Sequence, residues 1–498
     1  MVAHRLDIRV LLLLVVLSVA SCGPDEPRAP NGAASSGPEL SSRVDAYIAR
    51  AMEWYRIPGL SIAILSRGDV LYAASYGLAD LESGVAATNA TLYQLSSSAK
   101  IFSATALMTL VEDGLIDLDA PVGEILPGTP AAWRHVTPRQ LLAHISGLPD
   151  IVRCDTLHEP EAVACALALR DPRPPGERFE YNQTNYYLVQ KLIERTTGTS
   201  LPDYVADRMF EPLGVTGAVY AGDSGEPLSG RARSYYPDGD GGWQEREYQF
   251  PTYLYAAAGL NASLDAVVAW VRAMQGEQIL VAGTRDVMWR PPVLNDGSVS
   301  GYALGWDVGT HGAGHVSVGH SGGRLTTVRL FPRDSLAVVV LANGSAWSLN
   351  PDEIAEELAA LMVPAIQSPA SRLASEMREA FTRATPAADS FTATATREAL
   401  DIYVRFLSEP SPPDPSVEGA MNELGYDLLE RGLTADAVEV LRLTAEAFPE
   451  SWNAHDSLGE AYAESGNTEL ARVEYRRSLE LNPDNDHARE MLRGLPAR

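Results

Sequence analysis

Two apolar, strand-patterned stretches lie far apart in this chain, and their separation constrains its fold more than any other feature. Near the amino end, "GLSIAILSRGDVLYAASYG" from Gly59 reads as two apolar runs broken by a Gly-Asp turn, the pattern of a β-hairpin. The turn also accounts for the "RGD" within it, without any adhesion role. After Gly301 strands return, in "HVSVGHSGG", "LTTVRLF" and "LAVVVLANG". Between them, from Ser97 to the low 270s, the pattern is mostly helical, with helix starts at "TPRQLLAH" and "SLDAVVAWVRAM", each led by a hydroxyl that can cap. Strands at both ends and helices between predict an α+β fold. One antiparallel sheet is built from the two chain ends, flanked by helices, with a helical region inserted beside it.

The carboxyl end follows a different rule. Leu424 and Gly425 recur as Leu458 and Gly459, Gly432 as Gly466, Ala437 as Ala471 and Pro449 as Pro483, all 34 residues apart. This resembles tetratricopeptide helical hairpins, in which small residues let paired helices approach closely. An all-α module is expected over 419–498, capped by a helix near Met491 and by "REALDIYVRFL". Residues 367–418, with "TPAADSFTATATREAL" and the proline-rich "SEPSPPDPSVEG", read as a linker with some helix.

The balance of 39 basic against 65 acidic residues gives a net charge of −26, which argues against nucleic acid or an anionic membrane surface as a main partner. At the amino end His4, Arg5 and Arg9 precede "VLLLLVVLSVA", a run too short to span a bilayer as a helix and suited to an export signal. "VASC" follows, resembling a bacterial lipobox. Residues 1–22 are then a lipoprotein signal whose Cys22 carries the lipid, 23–40 a Pro/Gly/Ser-rich tether, and 41–366 the main domain. The expected location is the cell envelope, lipid-anchored outside the cytoplasmic membrane. Of three cysteines this leaves Cys154 and Cys165 as candidates for a disulfide in an oxidising compartment.

In "YQLSSSAKIFSA" three serines precede a lysine at the start of an apolar helix. Residues three apart share a helical face, and of the three only Ser97 has a lysine at that distance, Lys100. A serine hydroxyl is a weak nucleophile at neutral pH, and an amine with a lowered pKa one turn away can take its proton.

"YQLSSSAKIFSA", "LLAHISGLPD", "PGERFEYNQTNYYLV", "YALGW" and "GHSGG" occur in the order and at about the separations found in the serine hydrolases that include class C β-lactamases, D-amino-acid peptidases and related esterases. By this resemblance, which spans about residues 41 to 365, Ser97 is the acyl-accepting nucleophile and Lys100 its proton partner. Tyr181 stands at the tyrosine of the Tyr-x-Asn motif, which implies that it helps activate the serine and protonates the leaving group. Gln183 replaces the motif's asparagine, and Asn182 or Asn185 is available to substitute for it. His320, Ser321 and Gly322 match the histidine form of the last motif, which implies substrate contacts from His320 and Gly322. The Ser97 and Gly323 N–H groups would form the oxyanion hole. Histidine in place of lysine favours an esterase or peptidase over a specialised β-lactamase.

"GHSGG" also fits the nucleophile elbow of α/β-hydrolases with Ser321 as nucleophile, but a strand follows it and the later histidines, His455 and His487, lie in the repeats. "GDSGEPLSG" around Ser224 resembles a chymotrypsin-type serine in a chain that is not all-β, and reads as a loop. The histidines show no metal-ligand spacing, so neither metal nor cofactor is implied. The expected function is an exported serine hydrolase acting through an acyl-enzyme on an ester or amide: a D-amino-acid peptide, muropeptide, β-lactam or small ester. The alternative is an inactive hydrolase-like scaffold whose repeats hold a protein or peptide partner.

Overall fold

The computed structural model describes residues 37–154, 156–221, 228–238, 242–245, 250–344, 349–383, 393–408 and 414–495. The stretch expected to be an export signal with Cys22, nearly all of the expected tether, and Ser224 lie outside the described residues.

In chain order the strands are β1 (Gly59–Ser66), β2 (Asp69–Asp80), β3 (Val85–Ala86), β4 (Leu92–Gln94), β5 (Ala218–Tyr220), β6 (Tyr235–Pro237), β7 (Trp243–Glu245), β8 (Leu260–Ser263), β9 (Asp307–Thr310), β10 (Val316–Gly322), β11 (Thr326–Phe331) and β12 (Leu336–Ala342). Seven form one antiparallel sheet in the order β3-β2-β1-β12-β11-β10-β9. The amino-terminal hairpin and the carboxyl-terminal strands thus meet at β1 and β12, with Ile62 opposite Val340. β9 was not expected, because Asp307–Thr310 is short, polar and glycine-containing. The hairpin turn falls one residue earlier than a Gly-Asp turn, at Arg67 and Gly68, both with positive φ, so that Ser66 faces Asp69.

Every residue of β12 is buried, because both faces of the sheet are covered. Ala337, Val339 and Leu341 pack into one core with the inserted helices, while Leu336, Val338 and Val340 pack into a second. The first core holds the helices Ala99–Glu112, Gln183–Thr197 and Leu264–Gln275, beside a small sheet of order β4-β8-β5. Ser263 caps the last of these helices, and Thr137 caps Pro138–Leu142 through a reciprocal box with Gln140. Cys154 and Cys165 are joined by a disulfide within the inserted region.

The second core joins the sheet to the helical module. It contains the helices Pro38–Tyr55 and Pro351–Met362, and it continues into Pro369–Arg383 through Met377 and Phe381, both fully buried. The segment expected as a linker therefore contributes a core helix. Its amphipathic face is masked in the sequence by alanines and serines. Pro369–Arg383 pairs with Ala393–Leu407, and this hairpin stacks on the repeats Pro415–Glu430/Thr434–Ala447 and Trp452–Glu464/Thr468–Leu481, closed by Asp486–Gly494. At the repeat glycines an added Cβ would lie 2.6 Å from Leu441 (Gly425) or 2.9 Å from Tyr475 (Gly459), so close helix approach is what the 34-residue period encodes. Arg378 crosses the seam, 3.1 Å from Glu353 and 3.3 Å from Asp427.

Candidate active site

The serine triplet forms a single 3₁₀ turn, Ser96–Ser98, that runs directly into the helix Ala99–Glu112. That helix is buried on all sides from Ala99 to Leu110, which fixes its first turn deep in the domain. Ser96 has a φ of 47°, a left-handed conformation that only a tightly packed neighbour sustains. The neighbour is β10. A Cβ on Gly322 would stand 2.0 Å from the Leu95 carbonyl and 2.8 Å from the Ser98 nitrogen. Ser98 Oγ donates to the His320 carbonyl at 3.0 Å, and Thr326 Oγ1 donates to the Leu95 carbonyl at 3.0 Å. Ser98 is thus a fastener between turn and strand, and only Ser97 faces the open side, half-buried.

Lys100 is fully buried, and its Nζ lies 3.3 Å from Ser97 Oγ and 2.9 Å from the Ala257 carbonyl. It also stands 4.9 Å from the Tyr181 ring centroid and 5.2 Å from that of Tyr186. Burial lowers its pKa from 10.5 to about 7, against the opposing pull of the Asp150 and Asp307 carboxylates. A neutral amine is therefore well populated beside the hydroxyl at physiological pH.

Tyr181 keeps 36 % of its surface exposed, yet protein packed around its phenol raises its pKa above the ordinary tyrosine value. Hydrogen bonds from Ser97 and Gln183 oppose that rise without overcoming it. Burial thus acts on the two groups in opposite senses, favouring the neutral amine at Lys100 and the phenol at Tyr181.

Asn182 and Asn185 are not free to replace the motif asparagine. Asn182 caps the helix Gln183–Thr197 by accepting from the Asn185 N–H, and Asn185 accepts from Ser146 Oγ at 2.5 Å while donating to His144 Nδ1 at 2.9 Å. Gln183 alone is left toward the site, with its N–H held by Asp150 at 2.9 Å and its Oε1 buried without a partner.

His320 Nδ1 lies 2.6 Å from the Ser321 carbonyl and must donate to it, which leaves Nε2 as a buried, unpartnered acceptor. Burial lowers its pKa to about 4, so His320 is neutral near pH 7. Gly323 has a φ of 58° beside Ser96, and among the described backbone hydrogen bonds neither its N–H nor that of Ser97 donates. Two unpaired N–H groups next to a hydroxyl can stabilise a developing oxyanion.

His144, Asp150, Asp307 and the Ala257 carbonyl also belong to the site. The first two lie in "LLAHISGLPD", a stretch that carries a motif signal but no spacing that assigns roles.

Residues 44–361 match the Beta-lactamase family model, and 452–485 match the Tetratricopeptide repeat. The chain belongs to the Beta-lactamase family. Its β-lactamase-family domain is similar to Penicillin-binding protein 4 of Amycolatopsis lactamdurans, at 29 % identity over 346 residues, 63 % of this chain and 89 % of that protein. Among solved structures the β-lactamase-family fold is similar to an octameric penicillin-binding protein homologue from Pyrococcus abyssi. The TM-score is 0.58 at 26 % identity, over 68 % of this chain and 81 % of that one. A D-amino acid amidase from Ochrobactrum anthropi shares the fold with a TM-score of 0.56 at 24 % identity, over 66 % and 98 % of the two chains.

Proposed function

We propose that this β-lactamase-family hydrolase works through an acyl-enzyme on Ser97. Lys100 Nζ takes the Ser97 proton as Oγ attacks the substrate carbonyl, and the Ser97 and Gly323 N–H groups hold the oxyanion. The Tyr181 phenol protonates the leaving group as its bond to carbon breaks, and is itself reprotonated from Lys100. Water then attacks the acyl carbon by the same proton path and releases the acid, restoring Ser97. The observation that carries this reading is the buried Lys100 amine 3.3 Å from Ser97 Oγ, with its pKa lowered to about 7.

We assign the substrate to esters and amides without a carboxylate at the His320 end. A neutral His320 offers no cation there, and the unpartnered Gln183 Oε1 and His320 Nε2 ask for donors. This supports esterase, amidase or peptidase action over β-lactam cleavage. A panel of p-nitrophenyl esters, D-amino-acid amides, a D-alanyl-D-alanine peptide and nitrocefin tests both parts. Turnover of esters or amides, abolished in Ser97→Ala, is expected, and turnover that survives Ser97→Ala rejects the nucleophile. A preference for the peptide carboxylate or for nitrocefin rejects the substrate class.

We further infer export and lipid anchoring at Cys22, supported by the basic residues, apolar run and "VASC" of the amino end. Cys22→Ser should release the protein from membranes without detergent. The tetratricopeptide module is proposed to hold a protein or peptide partner beside the enzyme.

A further inference from the structure

His144 occupies an unusual place in the site. Its backbone is left-handed, with a φ of 56°, and its side chain is completely buried. Both chain neighbours of Tyr181 are tied to it: the Glu180 N–H donates to the His144 carbonyl at 2.8 Å, and the Asn182 N–H donates to His144 Nδ1 at 3.3 Å. Asn185 Nδ2 donates to the same Nδ1 at 2.9 Å. The imidazole itself lies against the Tyr181 ring, with centroids 4.3 Å apart. One residue therefore grips Tyr181 from the preceding peptide, the following peptide and the ring face.

Two donors converging on Nδ1 require it to carry a lone pair, which puts the single proton on Nε2. A second proton would set an N–H against two donors. The charged or titratable groups around the ring are Lys100, His320, Tyr181, Tyr186 and Tyr302. No carboxylate among them favours an imidazolium, and burial, the dominant cause, holds His144 neutral.

We infer that His144 is the positioning residue for Tyr181: an acceptor that clamps the tyrosine's backbone and ring so that its hydroxyl stays on Ser97. This rests on the reading of Tyr181 as the proton carrier. It explains why a residue with a side chain is kept at a left-handed position, because glycine would supply the backbone shape without the acceptor. Asparagine, the side chain most tolerant of that shape, keeps an acceptor oxygen.

The test is kinetic, with the full chain and the best ester of the panel. His144→Phe retains an aromatic ring and deletes the acceptor. It should lower kcat by about 100-fold while KM moves less than about threefold, the signature of a lost transition-state contact. His144→Asn, which keeps an acceptor, should recover about tenfold of the loss. Tyr181→Phe and the double variant Tyr181→Phe/His144→Phe should be equally slow. Additive losses, or a His144→Asn enzyme no faster than His144→Phe, overturn the inference. Should His144→Phe fail to fold, nitrogen-15 NMR of wild-type imidazoles decides: Nδ1–H or a doubly protonated His144 at pH 7 contradicts it. An inert wild type that fluorophosphonate leaves unlabelled at Ser97 instead sinks the functional reading beneath it.

Discussion

Lys100 Nζ reaches Ser97 Oγ at 3.3 Å from the next turn of a helix that is buried on every side. The same burial that positions the amine also neutralises it, so position and basicity have one cause. Changing the exposure of this helix start would change both together.

The pH dependence follows with a definite sign. Lys100 must be neutral to accept a proton, so kcat/KM should rise with pH through about 7 and level off above it. The drop from 10.5 to about 7 corresponds to about 5 kcal/mol against the charged form in the folded state. Between those two values the unfolded chain binds more protons, so the folded state gains stability as pH rises. Lys100→Met should abolish turnover yet be more stable than wild type at pH 6, with that advantage shrinking toward pH 10. Activity and denaturation midpoints measured at both pH values check it.

Gly322→Ala should be far more damaging than its size suggests. The added methyl would sit 2.0 Å from the Leu95 carbonyl, which no rotamer can relieve. Either β10 moves off the serine turn or the turn itself shifts. We expect a loss of about 3 kcal/mol of stability and at least 100-fold in kcat, measured by urea unfolding and ester hydrolysis.

His320→Lys should turn selectivity toward carboxylates. Asp307 stands close enough to raise the pKa of a cation at this position, as it does for His320. The ratio of kcat/KM for a D-alanyl-D-alanine peptide over its carboxamide should rise about tenfold relative to wild type. An unchanged ratio means that His320 does not face the substrate.

At the seam between sheet and repeats, Arg378→Leu leaves the half-buried Glu353 and the buried Asp427 without their shared partner. The expected cost is about 3–5 kcal/mol, because the uncompensated charges and not the lost pair set the penalty. Calorimetry should show one transition in wild type, since the second core is continuous from Val338 in β12 to Val440 in the repeats. A wild type with two independent transitions contradicts a shared core.

Much of this organisation was legible before the structure. The closing of the sheet by two chain ends followed from strand-patterned runs at both ends with helices between, whereas the covering of both faces of β12 was not read from them. Helical spacing paired Ser97 with Lys100 while their roles came from the family resemblance, and the repeat followed from a 34-residue recurrence whose glycines pack against Leu441 and Tyr475. Other features depend on what meets a residue across space. Composition marked 367–418 as a linker with some helix, and did not show that Met377 and Phe381 of Pro369–Arg383 fill the second core. The protonation states of Lys100 and Tyr181 depend on burial that no local pattern encodes. His144 is one of nine histidines in the chain, and only its backbone φ and its three ties to the Tyr181 segment single it out.

The central claim is that Ser97 becomes acylated, with Lys100 as its base. Peptide-mapped mass spectrometry after brief exposure to a fluorophosphonate addresses it directly, with wild type and Lys100→Ala in parallel at pH 8. The account predicts an adduct on the Ser97 peptide in wild type and at least a 100-fold slower adduct in Lys100→Ala. Label on Ser321, on no serine, or on Ser97 at equal rates in both proteins would contradict it.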